Sequence, residues 1–166
     1  MARIECDYLV IGTGVAGLEF ARAVAGTGRV VMITKREADV SATHEAQGGV
    51  ATVLDTHDSF EAHIADTLRA GCGLCKRDIV EMCVKDGPGR IAELQSVGAR
   101  FTASKEHPSE LDLGREGGHS TRRIVHAADA TGREVVRALL ADVRQLPSVE
   151  LYENHMAIDV IVPEPN

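Results

Sequence analysis

Three glycines, Gly12, Gly14 and Gly17, constrain this chain more than any other feature of its sequence. They belong to the run Gly12-Thr13-Gly14-Val15-Ala16-Gly17, placed where an apolar, β-branched segment (residues 7–11) meets an alanine-rich one (residues 15–25). The first segment has the length and composition of a buried strand. The second has the periodicity of a helix, with Leu18, Ala21, Ala23 and Val24 free to form one packed face, and Gly26 and Gly28 stop it. A second apolar run, residues 30–33, completes strand, helix and strand within about thirty residues, the size of a βαβ unit. In that setting Gly12 permits a tight turn, Gly14 a close approach to a pyrophosphate, and Gly17 close packing of helix on strand. The helix N-terminus favours an anion, because its free N–H groups and its dipole both point there.

An acidic residue is expected at the end of the second strand, where it would hold a ribose. Thr34 and Lys35 stand there instead. This weakens a nicotinamide-nucleotide reading and leaves the threonine hydroxyl, backbone groups or Lys35 to make the contact.

Residues 35–50 are polar and irregular and form a loop. Asp58 is expected to cap the next helix, with Glu61 three residues on and Phe60, Ile64, Thr67 and Leu68 at helical spacing. A helical pattern over 77–97 is expected to break at Gly87-Pro88, because proline has no amide to donate. Thr131-Gly132-Arg133-Glu134 has the form of a capping box for a helix that ends near Pro147. Residues 149–152 and 157–162 have the composition of two late strands, expected to form a hairpin around 153–155. The ending Pro163-Glu164-Pro165-Asn166, directly after a strand, suggests a cut inside a larger protein.

The net charge of −7 argues against nucleic acid or an anionic membrane as partner, since either rewards a basic patch. No apolar run approaches the length of a membrane span, and no signal-like region precedes the first strand, so a cytoplasmic protein is expected. The four cysteines are Cys6, Cys72, Cys75 and Cys83. Cys72 and Cys75 form a C-x-x-C, but no second pair supplies the four ligands of a structural zinc site, and packing is the simpler role.

The loop after the second strand carries Ser41-Ala42-Thr43-His44-Glu45-Ala46-Gln47-Gly48-Gly49. It resembles the flavin-binding loop of the succinate dehydrogenase and fumarate reductase flavoprotein family. Arg115-Glu116-Gly117-Gly118-His119-Ser120 and the motif from Arg123 to Gly132 resemble the L-aspartate oxidase branch of that family. The three motifs occur in the family's order and cover essentially the whole chain.

The resemblance implies an α/β, Rossmann-like FAD-binding fold. Residues 1–166 would form the N-terminal portion of the FAD-binding domain in a flavoprotein of the two-dinucleotide-binding-domain type. It assigns FAD to Gly12, Thr13, Gly14, Val15, Ala16, Gly17 and Lys35, and to Ala42, Thr43, His44, Glu45, Ala46, Gln47, Gly48 and Gly49. Glycines suit a loop along a flat ring, where a Cβ would intrude. In the respiratory members a histidine stands where Ala42 stands here and bonds covalently to the flavin, so non-covalent FAD is expected. Glu116 would orient the substrate: a carboxylate facing an α-ammonium favours L-aspartate over succinate. A glutamate on a loop can equally be a solvated carboxylate.

The activity implied is oxidation of L-aspartate to iminoaspartate at the start of NAD biosynthesis, with oxygen or fumarate as acceptor. The family's proton-transferring arginine, its carboxylate clamps, its capping domain and its helical C-terminal region would lie beyond Asn166. A succinate-oxidising flavoprotein and a non-catalytic nucleotide module are the alternatives. His119 is open between an active-site wall and a structural role, and His126 is expected to be structural. Arg122 and Arg123 could pair a substrate carboxylate, but adjacent arginines on a loop are more often solvated.

Overall fold

The computed structural model describes residues 3–128 and 130–162. Asp129 of the third motif, and the terminal residues 163–166 that suggested a cut, lie outside the described residues. The chain forms two compact units, one of residues 1–45 with 135–166 and one of residues 46–134.

The first unit holds the expected βαβ. Strand β1 (Tyr8–Ile11) pairs in parallel with β2 (Val30–Ile33), and helix α1 (Val15–Val24) joins them. A third strand, β6 (Val149–Tyr152), adds in parallel to the far side of β2, giving the order β1-β2-β6. β2 is the central strand, and Val30, Val31 and Met32 are buried. β1 is an edge strand and departs from the expected burial: Val10 is buried, whereas Leu9 and Ile11 are each 56% exposed. From Val135 onward α4 (Thr131–Val143) belongs to this unit, with Val136, Leu139 and Val143 buried and Asp142 bonded to Arg22 of α1 at 2.7 Å.

The expected hairpin does not form. β6 takes its partner from β2, and residues 157–162 are outside any strand, with Ile158, Ile161 and Val162 at least 77% exposed. Strand composition does not make a strand without a ladder partner, and among the described residues none pairs with this segment.

The second unit packs α2 (Phe60–Ala70) against α3 (Arg77–Ser96), with Ile64, Val80 and Val84 as its apolar centre and Phe60, Leu68 and Cys75 against them. Cys6, Cys72 and Cys83 are exposed, so packing accounts for Cys75 alone. A small antiparallel sheet completes the unit in the order β3 (Val50–Ala51), β5 (Ile124–Val125), β4 (Leu113–Gly114).

Two boundaries differ from expectation. α3 runs unbroken through Pro88. The proline removes one amide from the ladder, but Val84 before it and Ile91 after it are both buried, and the packed face carries the helix past the gap. The cap of α2 is Ser59, whose hydroxyl accepts the Ala62 amide at 3.1 Å. Asp58 is displaced from that role because its carboxylate binds elsewhere. Among the described residues no helix is long and apolar enough to cross a membrane.

Candidate functional site

The glycine run folds as its spacing requires. Gly12 has φ +102°, a conformation that L side chains rarely adopt, and a Cβ on Gly17 would run into the Gly12 carbonyl oxygen. Gly14 has extended backbone and is the N-cap of α1, with no side-chain cap. The Val15 amide, exposed at the first helical position, donates to Thr43 Oγ1 at 3.1 Å. This bond ties the loop after β2 to the α1 N-terminus, and sequence spacing alone did not suggest it. Among the described residues the amides of Ala16 and Gly17 have no acceptor. An anion at this end of the helix would supply one.

Thr13 and Thr34 are both buried, and their hydroxyls face each other at 3.5 Å. Thr34 is thus committed inside the unit, and of the two side chains proposed for a ribose only Lys35, which is exposed, remains available. Ala42 is exposed. Ser41 Oγ accepts the His44 amide at 3.2 Å, its carbonyl accepts that of Glu45 at 3.4 Å, and the two bonds shape the turn. Nδ1 of His44 is buried without a hydrogen-bond partner among the described residues. An orphaned ring nitrogen in this turn, with the open amides of α1 in the same unit, is what a polar cofactor would satisfy. The open amides of Ala16 and Gly17 and the His44 ring nitrogen fit such a group, whereas the Val15 amide is taken by Thr43 and the Thr13 hydroxyl faces Thr34.

In the second unit the glycine-rich stretch begins with Ala46, whose carbonyl accepts the Gly132 amide at 3.1 Å, and continues through exposed Gln47 and Gly48. A Cβ on Gly49 would strike Ile124 and lie 2.5 Å from the Val125 carbonyl oxygen, so packing on β5 demands glycine there independently of any ring. Oε1 of Glu116 accepts the Gly49 amide at 3.2 Å. The structure therefore brings the assigned substrate glutamate to the end of the assigned flavin loop, although 67 residues separate them.

Close to Glu116 lies a buried ionic cluster that sequence reasoning missed. Arg123 is fully buried, contrary to the solvated role expected for it. Its Nε and Nη2 both bind Asp58 at 2.8 Å, and Nη1 binds Asp66 at 2.8 Å. Asp66, 3% exposed, also accepts the amide and hydroxyl of Ser120 at 2.7 and 2.6 Å. The two Ser120 bonds, joined by Arg123 and opposed by burial, hold the Asp66 carboxyl far below the usual carboxylate range. Burial works against the Arg123 charge, but its hydrogen bonds to Asp58 and Asp66 outweigh it and raise its pKa.

His63, buried beside the cluster, has its pKa lowered by burial and by the nearby Arg123 charge. The His119 ring lies 5.6 Å from that of His63, and its Nδ1 is 3.4 Å from Arg123 Nη1. His119 thus belongs to the packing of the cluster. Arg122 is exposed, and His126 has its Nε2 3.3 Å from Asp112 and its carbonyl accepting the Thr102 amide. The one signal for the cluster in the sequence was His63 and Asp66, three residues apart on a helix whose neighbouring positions are apolar.

The profile of the FAD binding domain family matches residues 7–166. The chain is 49% identical over 158 residues to L-aspartate oxidase 2-b of Nicotiana tabacum, a chloroplastic protein, covering 95% of this chain and 24% of the relative. It is 44% identical over 160 residues to L-aspartate oxidase of Pseudomonas aeruginosa, covering 93% of this chain and 30% of the relative. In structure it is similar to E. coli quinol fumarate reductase, with TM-score 0.92 and 30% identity, over 99% of this chain and 28% of that one. The chain spans less than a third of the length of each of these proteins.

Proposed function

The chain belongs to the FAD binding domain family, and we propose that it is the N-terminal portion of an enzyme oxidising L-aspartate to iminoaspartate with non-covalently held FAD. The observation that carries this reading is Glu116, whose carboxylate is held at the Gly49 amide at the end of the glycine-rich loop, in a chain 44–49% identical to L-aspartate oxidases.

When bound, FAD supplies a two-electron acceptor. The protein's own contributions divide by residue. The open amides of Ala16 and Gly17, with the α1 dipole, bind the pyrophosphate. Lys35 stands at the end of β2 for the ribose or adenine end. Thr43 holds the turn of residues 41–45 to α1, and Ala42 has no atom that can form a covalent link. Glu116 meets the α-ammonium of aspartate with a charge-assisted bond, roughly twice as strong as a neutral one. That contact has no counterpart in succinate, which is why a succinate-oxidising reading fits less well. The proton-transferring group and the carboxylate clamps come from the remainder of the intact protein. Oxygen or fumarate serves as acceptor, and the compartment we propose is the cytoplasm.

The intact protein should show flavin absorbance near one equivalent, released quantitatively as free FAD by acid, and L-aspartate should be turned over in preference to succinate. Flavin fluorescence that stays on the denatured polypeptide would sink the non-covalent assignment, and a preference for succinate would sink the substrate.

A further inference from the structure

Glu116 stands on a loop ill suited to hold a carboxylate in place. Residues 115–118 are exposed, and Glu116 is followed by Gly117 and by Gly118, whose φ is +87°. Within the loop only weak ties act: the His119 amide to the Glu116 carbonyl at 3.3 Å, and Arg115 Nε to the His119 carbonyl at 3.0 Å. A stretch with two glycines loses much conformational entropy on ordering, and such bonds compensate for little of it.

The far end of the loop is different. One oxygen of Asp66, Oδ2, accepts the Ser120 amide, the Ser120 hydroxyl and Arg123 Nη1, all at 2.8 Å or less. Arg123 is fixed in turn by two bonds to Asp58, and its amide donates to the Gly114 carbonyl of β4 at 3.0 Å. His119, next to Ser120, packs its ring against His63. Stability alone does not explain so much buried charge, because a buried ion cluster does roughly no better than well-packed apolar residues of the same volume. What ionic partners add is geometry, since each bond fixes a distance and a direction. Asp66 also receives Arg69 at 3.3 Å, so two carboxylates and two guanidiniums balance without net charge.

We propose that Asp66 is a positioning residue for substrate recognition: through Ser120 and Arg123 it anchors the 115–120 loop so that Glu116 keeps its place at the Gly49 amide. The inference rests on the reading of Glu116 as the group that meets the substrate ammonium.

The test uses the intact, FAD-loaded protein and the variants Asp66→Asn, Ser120→Ala and Glu116→Gln. Asp66→Asn should raise KM for L-aspartate about tenfold, toward the ~10²-fold that a misplaced contact can cost, with a smaller change in kcat and unchanged FAD content. The preference for aspartate over succinate should fall with it. Combining Asp66→Asn with Glu116→Gln should do no more than Glu116→Gln alone, because both act through one contact. Hydrogen exchange at the Gly49 and Ser120 amides should accelerate in Asp66→Asn.

Effects of the two substitutions that multiply would overturn the proposal, as would unchanged exchange at those amides. If Glu116→Gln leaves the aspartate preference intact, the reading of Glu116 fails, and the exchange measurement still decides whether Asp66 holds the loop. Should Asp66→Asn not fold, Ser120→Ala decides by the same readouts with a change of severalfold, since it deletes one hydroxyl bond and keeps the amide bond.

Discussion

Among the described residues of the parallel-sheet unit, the polar residues buried as a whole are two threonines, Thr13 and Thr34, whose hydroxyls face each other. In the unit of residues 46–134 the largest fully buried side chain is a guanidinium, and His63, Asp66, Thr52 and Thr131 are buried with it. Apolar burial is non-directional and rewards any arrangement that excludes water. Buried charge rewards only the arrangement that supplies every partner. The first unit is accordingly specified by backbone sterics at its glycines, and the second by a short list of polar bonds. The contrast explains where each is vulnerable: the first to an added methyl group at the wrong glycine, the second to the loss of a charge.

Arg123→Ala should show the largest effect. It leaves Asp58 and Asp66 buried without their shared cation, and breaking a buried pair in this way costs about 3–5 kcal/mol. Urea unfolding should show a lower midpoint with little change of slope. If Asp58, Asp66 and Arg123 are replaced together by apolar residues of similar volume, stability should recover most of the loss, although the anchor at Ser120 is gone. A single replacement costing under about 1 kcal/mol would mean that solvent reaches the cluster and that the two units do not differ in kind.

Gly17→Ala comes next. Helix propensity alone favours the change by about 1 kcal/mol, since alanine is the better residue inside a helix. The Cβ, however, meets the Gly12 carbonyl, a backbone atom that cannot rotate away. Overpacking costs typically ~1–3 kcal/mol, so the clash should prevail and the net effect should be destabilising. FAD content should fall as well, because a shift of Gly12 disturbs the turn that carries Gly14. A variant more stable than the parent, with full FAD, would break the assignment of sterics as the rule of this unit.

The same contrast governs how much of the molecule was legible in its sequence. β1, α1 and β2 follow from local pattern and from three glycines whose roles are set within six residues, and they were read to within a residue. α3 was expected to break at Pro88 because the lost amide is local information, whereas Val84 and Ile91, which hold the helix, act through tertiary packing. Residues 157–162 have strand composition, but a strand also needs a partner, and partner choice is long-range. Arg123 adjoins Arg122, a pattern that points to solvent; nothing nearby in sequence announces Asp58 and Asp66, 65 and 57 residues away. Glu116 and the glycine loop were assigned by resemblance, and their meeting at Gly49 is a fact of folding that no spacing rule contains.

The smallest effect is expected on the exposed face of α3, where the chemistry matches that of the buried cluster and only the surroundings differ. Glu81 accepts Arg77 at 3.1 Å and lies 3.9 Å from Lys85, with side chains 36%, 67% and 59% exposed. The Arg77 bond is close in length to those of Arg123, so distance alone would rank the two alike. Water decides otherwise. At the surface the pair gains little over its hydrated components and must order two long side chains, which leaves about 0.3–0.5 kcal/mol for a pair four residues apart. Glu81→Gln should therefore lower stability by less than about 0.5 kcal/mol. Added salt should erase even that, since the screening length falls to about 3 Å at 1 M. The cost of Arg123→Ala should persist in the same salt, because ions do not enter a site with no exposed surface. Parallel urea titrations of both variants with and without salt measure the difference. If Glu81→Gln cost more than about 1 kcal/mol, or if salt halved the cost of Arg123→Ala, burial would not be what separates the two sets of ion pairs.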